Sequence, residues 1–91
     1  MKLYQLHENN YSAVLEDGQR INEAAMIYFE SNGPAPGNEE EWSELEEGAI
    51  RIGDIMMEME DAKGGFDPIE YSRLTSKLEE ILNRAEEIEH E

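Results

Sequence analysis

Residues 9–18 read NNYSAVLEDG, a short apolar and polar alternation held between two turn signals, and the fold class follows from how those signals are taken. Asn9-Asn10 has the chemistry of a two-residue hairpin turn, because Asn tolerates the positive φ that such turns require. Folded there, the chain sets Tyr4 opposite Leu15, Leu6 opposite Ala13 and Glu8 opposite Tyr11, which gathers apolar side chains on one face. Leu3 with Glu16, Gln5 with Val14 and His7 with Ser12 form a mainly polar second face suited to water. Asp17-Gly18 then closes a β-hairpin spanning residues 1–17. A two-stranded ribbon is marginal by itself, so it must pack on helices. The expected class is α+β, mainly α: an N-terminal β-hairpin, one short helix, then a long antiparallel helical hairpin.

Beyond residue 18 the apolar spacing turns helical. Ile21, Ala24, Ala25, Tyr28 and Phe29 share one face of a first helix over 19–32, which stops at Asn32-Gly33 before two prolines. Asn38, followed three residues later by Glu41, resembles a capping box and opens a second helix over 38–63 that ends at Gly64-Gly65. Asp67-Pro68-Ile69-Glu70 supplies an N-cap, a proline at the first helical position and a first-turn acid for a third helix over 67–90. Trp42, Leu45, Ala49, Ile52, Met56 and Met59 recur at steps of three and four, as do Tyr71, Leu74, Leu78, Ile81, Ala85 and Ile88. Folding across Gly64-Gly65 pairs the two seams from Met59 with Tyr71 to Trp42 with Ile88, and each alanine meets a large residue. Ile50, Gly53 and Met57 leave a second stripe on helix two, where Gly53 permits close approach by the first helix or the hairpin; a homodimer is the other use of this stripe.

The chain has 91 residues, 38% of them hydrophobic, which suits one domain over 1–91. With no cysteine it carries no redox or thiolate chemistry. No apolar run reaches membrane-spanning length, and MKLYQLHENN lacks a signal peptide's apolar core, so the expected location is the cytoplasm, that of the host for a phage-encoded protein. The 23 acidic and 7 basic residues leave net minus 16. That sign opposes direct binding to phosphate backbones and to anionic lipid. Residues 39–91 hold 18 of the acids against 5 bases, so the charge belongs to the second half.

With the seam inward, Glu40, Glu44, Glu47, Asp54, Glu58 and Asp61 fall along one outer stripe of helix two, interrupted by Arg51. Glu80 and Glu87 are the matching candidates on helix three. From Glu39 to Asp61 there are ten acids and one arginine. They occupy roughly 34 Å of helix, about one net charge per 4 Å, against about 3.4 Å for one strand of B-DNA. Several charges work against stability, including Glu86, Glu87, Glu89 and Glu91 at a helix C-terminus. Glu40 with Glu44 and Asp54 with Glu58 are like-charge pairs, whereas Glu47 with Arg51 and Glu80 with Arg84 are favourable ones. The expected partner is a basic nucleic-acid-binding protein, with the carboxylates standing in for phosphates.

In length, charge and acidic helices, with EEEWSELEEG over residues 39–48 and EEIEHE over residues 86–91, the chain resembles small acidic phage-type DNA mimics and anti-CRISPR proteins. That resemblance implies stoichiometric occlusion of the basic groove of a partner such as a CRISPR–Cas effector subunit or another defence nuclease. It implies no catalytic residue, no metal and no cofactor. A second resemblance covers roughly residues 21–84, where Asn22-Glu23-Ala24-Ala25-Met26, Arg51-Ile52-Gly53-Asp54 and the GGFDP-to-ILNR segment are similar in layout to MazG-like all-α nucleoside triphosphate pyrophosphohydrolases. That family holds magnesium with five acids, of which Glu23 and Asp54 alone are matched here, and Arg51 stands among them. It implies a degenerate relative. An acidic helical adaptor is the third expectation. The spacing of Glu87 and His90 fits a di-iron helix, but such sites need two of these motifs, and His7 has no candidate nucleophile beside it.

Overall fold

The computed structural model describes residues 11–61 and 66–90. It consists there of three α-helices, α1 (Tyr11–Ser31), α2 (Glu39–Asp61) and α3 (Pro68–Glu89), with no strand among the described residues. The α+β expectation is therefore corrected. Residues 11–17, assigned above to the second strand of a hairpin, are the opening turns of α1, and Asp17-Gly18 lies inside that helix. Residues 1–10, with the other strand and Asn9-Asn10, lie outside the described residues.

The physical reason sits in α3. Gly18 is buried, and a Cβ placed on it would lie 2.5 Å from Cζ and Oη of Tyr71. Glycine is present because the tyrosine ring takes the space a side chain would need. The helix continues through an Asp-Gly pair because Val14, Leu15, Ile21, Ala25 and Phe29 all pack on the common core, and such burial outweighs the roughly 1 kcal/mol helical penalty of one glycine.

Around α1 the expected helices form, with α2 and α3 antiparallel. An ideal Cβ on Gly48 would sit 3.4 Å from Ile81 Cδ1, close to the register that sets Ala49 against Ile81. The core draws Ile21, Ala25 and Phe29 from α1, Trp42, Ala49 and Met56 from α2, and Tyr71, Leu74, Leu78, Ala85 and Ile88 from α3. Helix α3 is the central element, because α1 and α2 each pack more extensively on it than on one another. Its buried arc is consequently wide enough to include Thr75, whose hydroxyl donates to the Tyr71 carbonyl at 3.1 Å. Trp42, expected opposite Ile88, also reaches α1, with its ring 5.1 Å from that of Phe29 and 5.8 Å from that of Tyr28.

Polar groups close the ends. Asp67 accepts hydrogen bonds from the backbone N–H groups of Ile69 (3.0 Å) and Glu70 (3.2 Å), and Pro68 opens α3. Replacing this cap, Asp67→Ala, is expected to lower stability by about 1 kcal/mol, visible as a lower thermal midpoint; an unchanged midpoint would show that the cap contributes nothing. Between α1 and α2 the turn places Gly37 at φ 96°, the left-handed region that favours glycine. The backbone N–H of Ala35 (3.4 Å) and the Asn38 side chain (3.3 Å) both donate to the Ile88 carbonyl. One of the orphan acceptors at the end of α3 is thereby satisfied by the loop entering α2. Gly64-Gly65, expected to turn the chain between α2 and α3, lies outside the described residues.

Candidate functional site

Helix α2 starts where three consecutive acids, Glu39, Glu40 and Glu41, meet the positive end of the helix dipole. Its core side is fixed by Trp42, Ala49, Gly53 and Met56, all buried, so the periodicity of 3.6 residues turns the opposite side to solvent. Glu40, Glu44, Glu47, Asp54, Glu58 and Asp61 are all exposed there. Successive members are three or four residues apart, about 5 Å of helix rise per step, except across Arg51, where Glu47 and Asp54 are seven residues and about 10 Å apart.

None of these six makes an ion pair or a side-chain hydrogen bond among the described residues, and neither does Arg51. The expected Glu47 and Arg51 pair is thus not made. Unpaired carboxylates on one helix face repel one another at i,i+4 spacing, and no basic side chain among the described residues forms an ion pair with them.

The two arginines of α3 are used elsewhere. Arg84, expected to pair with Glu80, instead reaches across to α2 in a bidentate pair with Glu41, at 2.6 Å from Nε and 3.0 Å from Nη2. That guanidinium holds the Glu41 carboxyl below its ordinary value, mainly by hydrogen bonding. Arg84 also contacts Glu87 at 3.4 Å. Arg73 pairs with Glu70 on its own helix and lowers that carboxyl in the same way. Glu80 is exposed, but it lines a shallow groove between α2 and α3 beside Lys77 and Arg84. Glu80 and Glu87 therefore stand among positive charges, while the uncompensated line belongs to α2. Over the whole of α2, ten acids face one arginine.

Two further acids are structural. Glu60 Oε2 accepts the Tyr71 hydroxyl at 2.7 Å and Glu60 Oε1 accepts Gln19 Nε2 at 3.2 Å, which joins all three helices. Glu89 accepts the Tyr28 hydroxyl and links α3 to α1. Both phenols are pushed well above their usual range, first by burial and then by the carboxylate each one meets. At the end of α3, His90 lies 3.8 Å from Glu89 while Glu87 turns to Arg84.

The residues matched to a pyrophosphohydrolase magnesium site do not fit one. Asp54 lines an open groove between α1 and α2, whereas Glu23 is exposed on α1 and does not line it. The group that α1 turns toward Gly53 is Asn22, whose Oδ1 lies 2.6 Å from where a Cβ would be. Among the described residues no three His, Asp or Glu side chains converge as metal ligands, and magnesium demands a near-octahedral oxygen set. Close approach at Gly53, expected from the second stripe of α2, is made by α1.

The groove is what the residue pattern did not foretell. Met26 of α1 faces Ile50 and Met57 of α2 across it, and all three are more than half exposed. The signal was the Ile50-Gly53-Met57 stripe, but its counterpart on α1 could be located only once the two helices were placed side by side. No helix among the described residues is long and apolar enough to cross a membrane. Compared with known proteins, the chain matches no family model, no curated protein and no solved structure.

Proposed function

We propose that this protein is a non-enzymatic inhibitor that occupies the basic nucleic-acid-binding surface of another protein through the outer face of α2, as small acidic phage-type DNA mimics and anti-CRISPR proteins do. The observation that carries the reading is the row from Glu40 to Asp61, exposed and making no ion pair among the described residues. A solvated helix needs no such density, and the mutual repulsion opposes folding. Counted over the whole of α2, with ten acids and one arginine, the helix carries about one net charge per 4 Å and approaches the line density of a polynucleotide strand. A groove that attracts phosphates attracts this helix by the same Coulombic field. Action by occlusion in the cytoplasm follows, with a CRISPR–Cas effector subunit or another defence nuclease as the partner class.

The test begins with copurification from a host lysate, followed by titration of the captured protein at increasing salt. Affinity is expected to fall steeply with ionic strength, and the complex should exclude the nucleic acid that the partner otherwise binds. Glu44→Lys with Glu47→Lys is expected to weaken the complex by about tenfold or more, about 1.4 kcal/mol, at an unchanged melting temperature. Binding that survives this reversal, or that ignores salt, sinks the reading. So does magnesium-dependent release of pyrophosphate from a nucleoside triphosphate that Asp54→Asn abolishes.

A further inference from the structure

Between α1 and α2 runs an open groove of about 370 Å³. It exists because the two helices are held together at its ends and furnished with small residues between. Asn22 meets Gly53 at one end, and Phe29 packs edge-to-face on Trp42 at the other. In the middle, Ala25 and Ala49 are too short to fill the gap, so they form its floor. Its walls are Met26, Ile50 and Met57, exposed at 57%, 57% and 54%. Large apolar side chains gathered beside a groove on so acidic a chain point to binding, and methionine in particular adapts to varied apolar surfaces.

Charge selects the occupant. Glu30, Glu46 and Asp54 border the groove, with the rest of the α2 acids beyond them, and no basic side chain among the described residues lines it. A second copy of this chain, at net minus 16, would bring acid against acid. Anionic lipid is repelled for the same reason. A groove between two helices has the form that receives the apolar stripe of a third. We infer that the α1–α2 groove docks an amphipathic helix of a partner protein, one whose apolar face is flanked by lysines and arginines. This goes beyond occlusion of a nucleic-acid site, since the anchor is apolar and only its orientation is set by charge. Asp54 belongs to both the border and the outer row, so one basic partner could engage the two surfaces together.

A synthetic helical peptide with leucines at i, i+3, i+4 and i+7 and lysines on both flanks serves as the probe. Two controls accompany it: the same composition scrambled to destroy the stripe, and the leucine face with glutamate flanks. Calorimetry is expected to show the basic amphipathic peptide binding about tenfold or more tighter than either control. Its binding should shift the methyl resonances of Met26 and Met57. Ile50→Glu with Met57→Glu should weaken it by about tenfold, while Glu44→Gln with Glu47→Gln changes it by less than about threefold. Both altered wall positions are exposed, and Ile50→Ser replaces the pair if the double variant melts early. Equal binding of the scrambled peptide, unmoved methionine methyls, or a free protein that dimerises through Met26, Ile50 and Met57 would each overturn the inference. Loss of peptide binding on changing Glu44 and Glu47 alone would overturn it too, while leaving the outer-row reading intact.

Discussion

Tyr71→Ala is expected to destabilise the protein by about 3–5 kcal/mol, read as a lower urea midpoint at unchanged slope. The side chain is fully buried and belongs to the central helix. Its ring lies against Gly18 of α1 and 5.0 Å from the ring of Phe66, while its hydroxyl donates to Glu60 of α2. Truncation therefore opens a cavity at the point where all three helices meet. For a small domain, whose total stability is of the order of 5–15 kcal/mol, such a loss leaves much of the population unfolded. Tyr71→Phe separates the parts, because it keeps the ring and deletes the hydrogen bond, for an expected loss of about 1 kcal/mol. The two proteins should also part company in alkali. The folded phenol titrates above its unfolded value, so its contribution is complete below the unfolded value of about 10 and is lost as pH rises through the folded one. Wild type should accordingly lose more stability than Tyr71→Phe on going from neutral pH to strong alkali. If Tyr71→Ala unfolds at the wild-type midpoint, the described junction is not what holds the helices together.

Gly18→Ala should destabilise by about 1–3 kcal/mol, although the same change in an exposed helix stabilises by up to about 1 kcal/mol. The reversal of sign is the diagnostic. The added methyl group would meet the Tyr71 ring well inside contact distance, and that ring has no room to retreat because it is enclosed on every side. A smaller partner should remove the conflict: in a Tyr71→Leu background, Gly18→Ala is expected to be neutral or stabilising. The two changes are thus strongly non-additive, as residues sharing one packed site are. Thermal melts of the four proteins settle the matter, and a higher midpoint for Gly18→Ala in the wild-type background would contradict the packing of α1 on α3.

These two predictions stand on the one region where local pattern and fold disagree. Asp17-Gly18 carries the chemistry of a turn, and residues 11–16 alternate well enough to be read as a strand. The same residues also place Val14, Leu15, Gly18 and Ile21 at helical spacing, continuous with Ala25 and Phe29. A stretch this short satisfies both periods, and what decided between them was a surface on α3, some fifty residues away, that could receive a helix with a glycine in it.

Where the pattern is long, it sufficed. The steps of three and four from Trp42 to Met59 and from Tyr71 to Ile88 are too many to fit any other period, so both helices and their antiparallel packing were legible from residue types. Leu45, Ile52 and Met59 of the expected α2 seam are nonetheless only half-buried, and Gly53 is buried beside them. Asp67-Pro68 likewise declared the start of α3, because a cap acts on backbone groups two and three residues away and needs nothing distant. The exposed row from Glu40 to Asp61 followed from the same periodicity, since fixing the buried side of a helix fixes its solvent side.

Which charges stay unpaired was a different kind of question. Arg84 could choose Glu80 on its own helix or Glu41 on its neighbour, and only the distance between α2 and α3 made the bidentate pair with Glu41 the better one. The central place of α3, the burial of Thr75 and the groove between Met26 and Ile50 are likewise properties of three helices together. Local sequence determined what each segment presents along its own axis, through propensity, capping and period; tertiary structure decided what those faces meet, because packing and charge pairing depend on separations between segments that no single segment encodes.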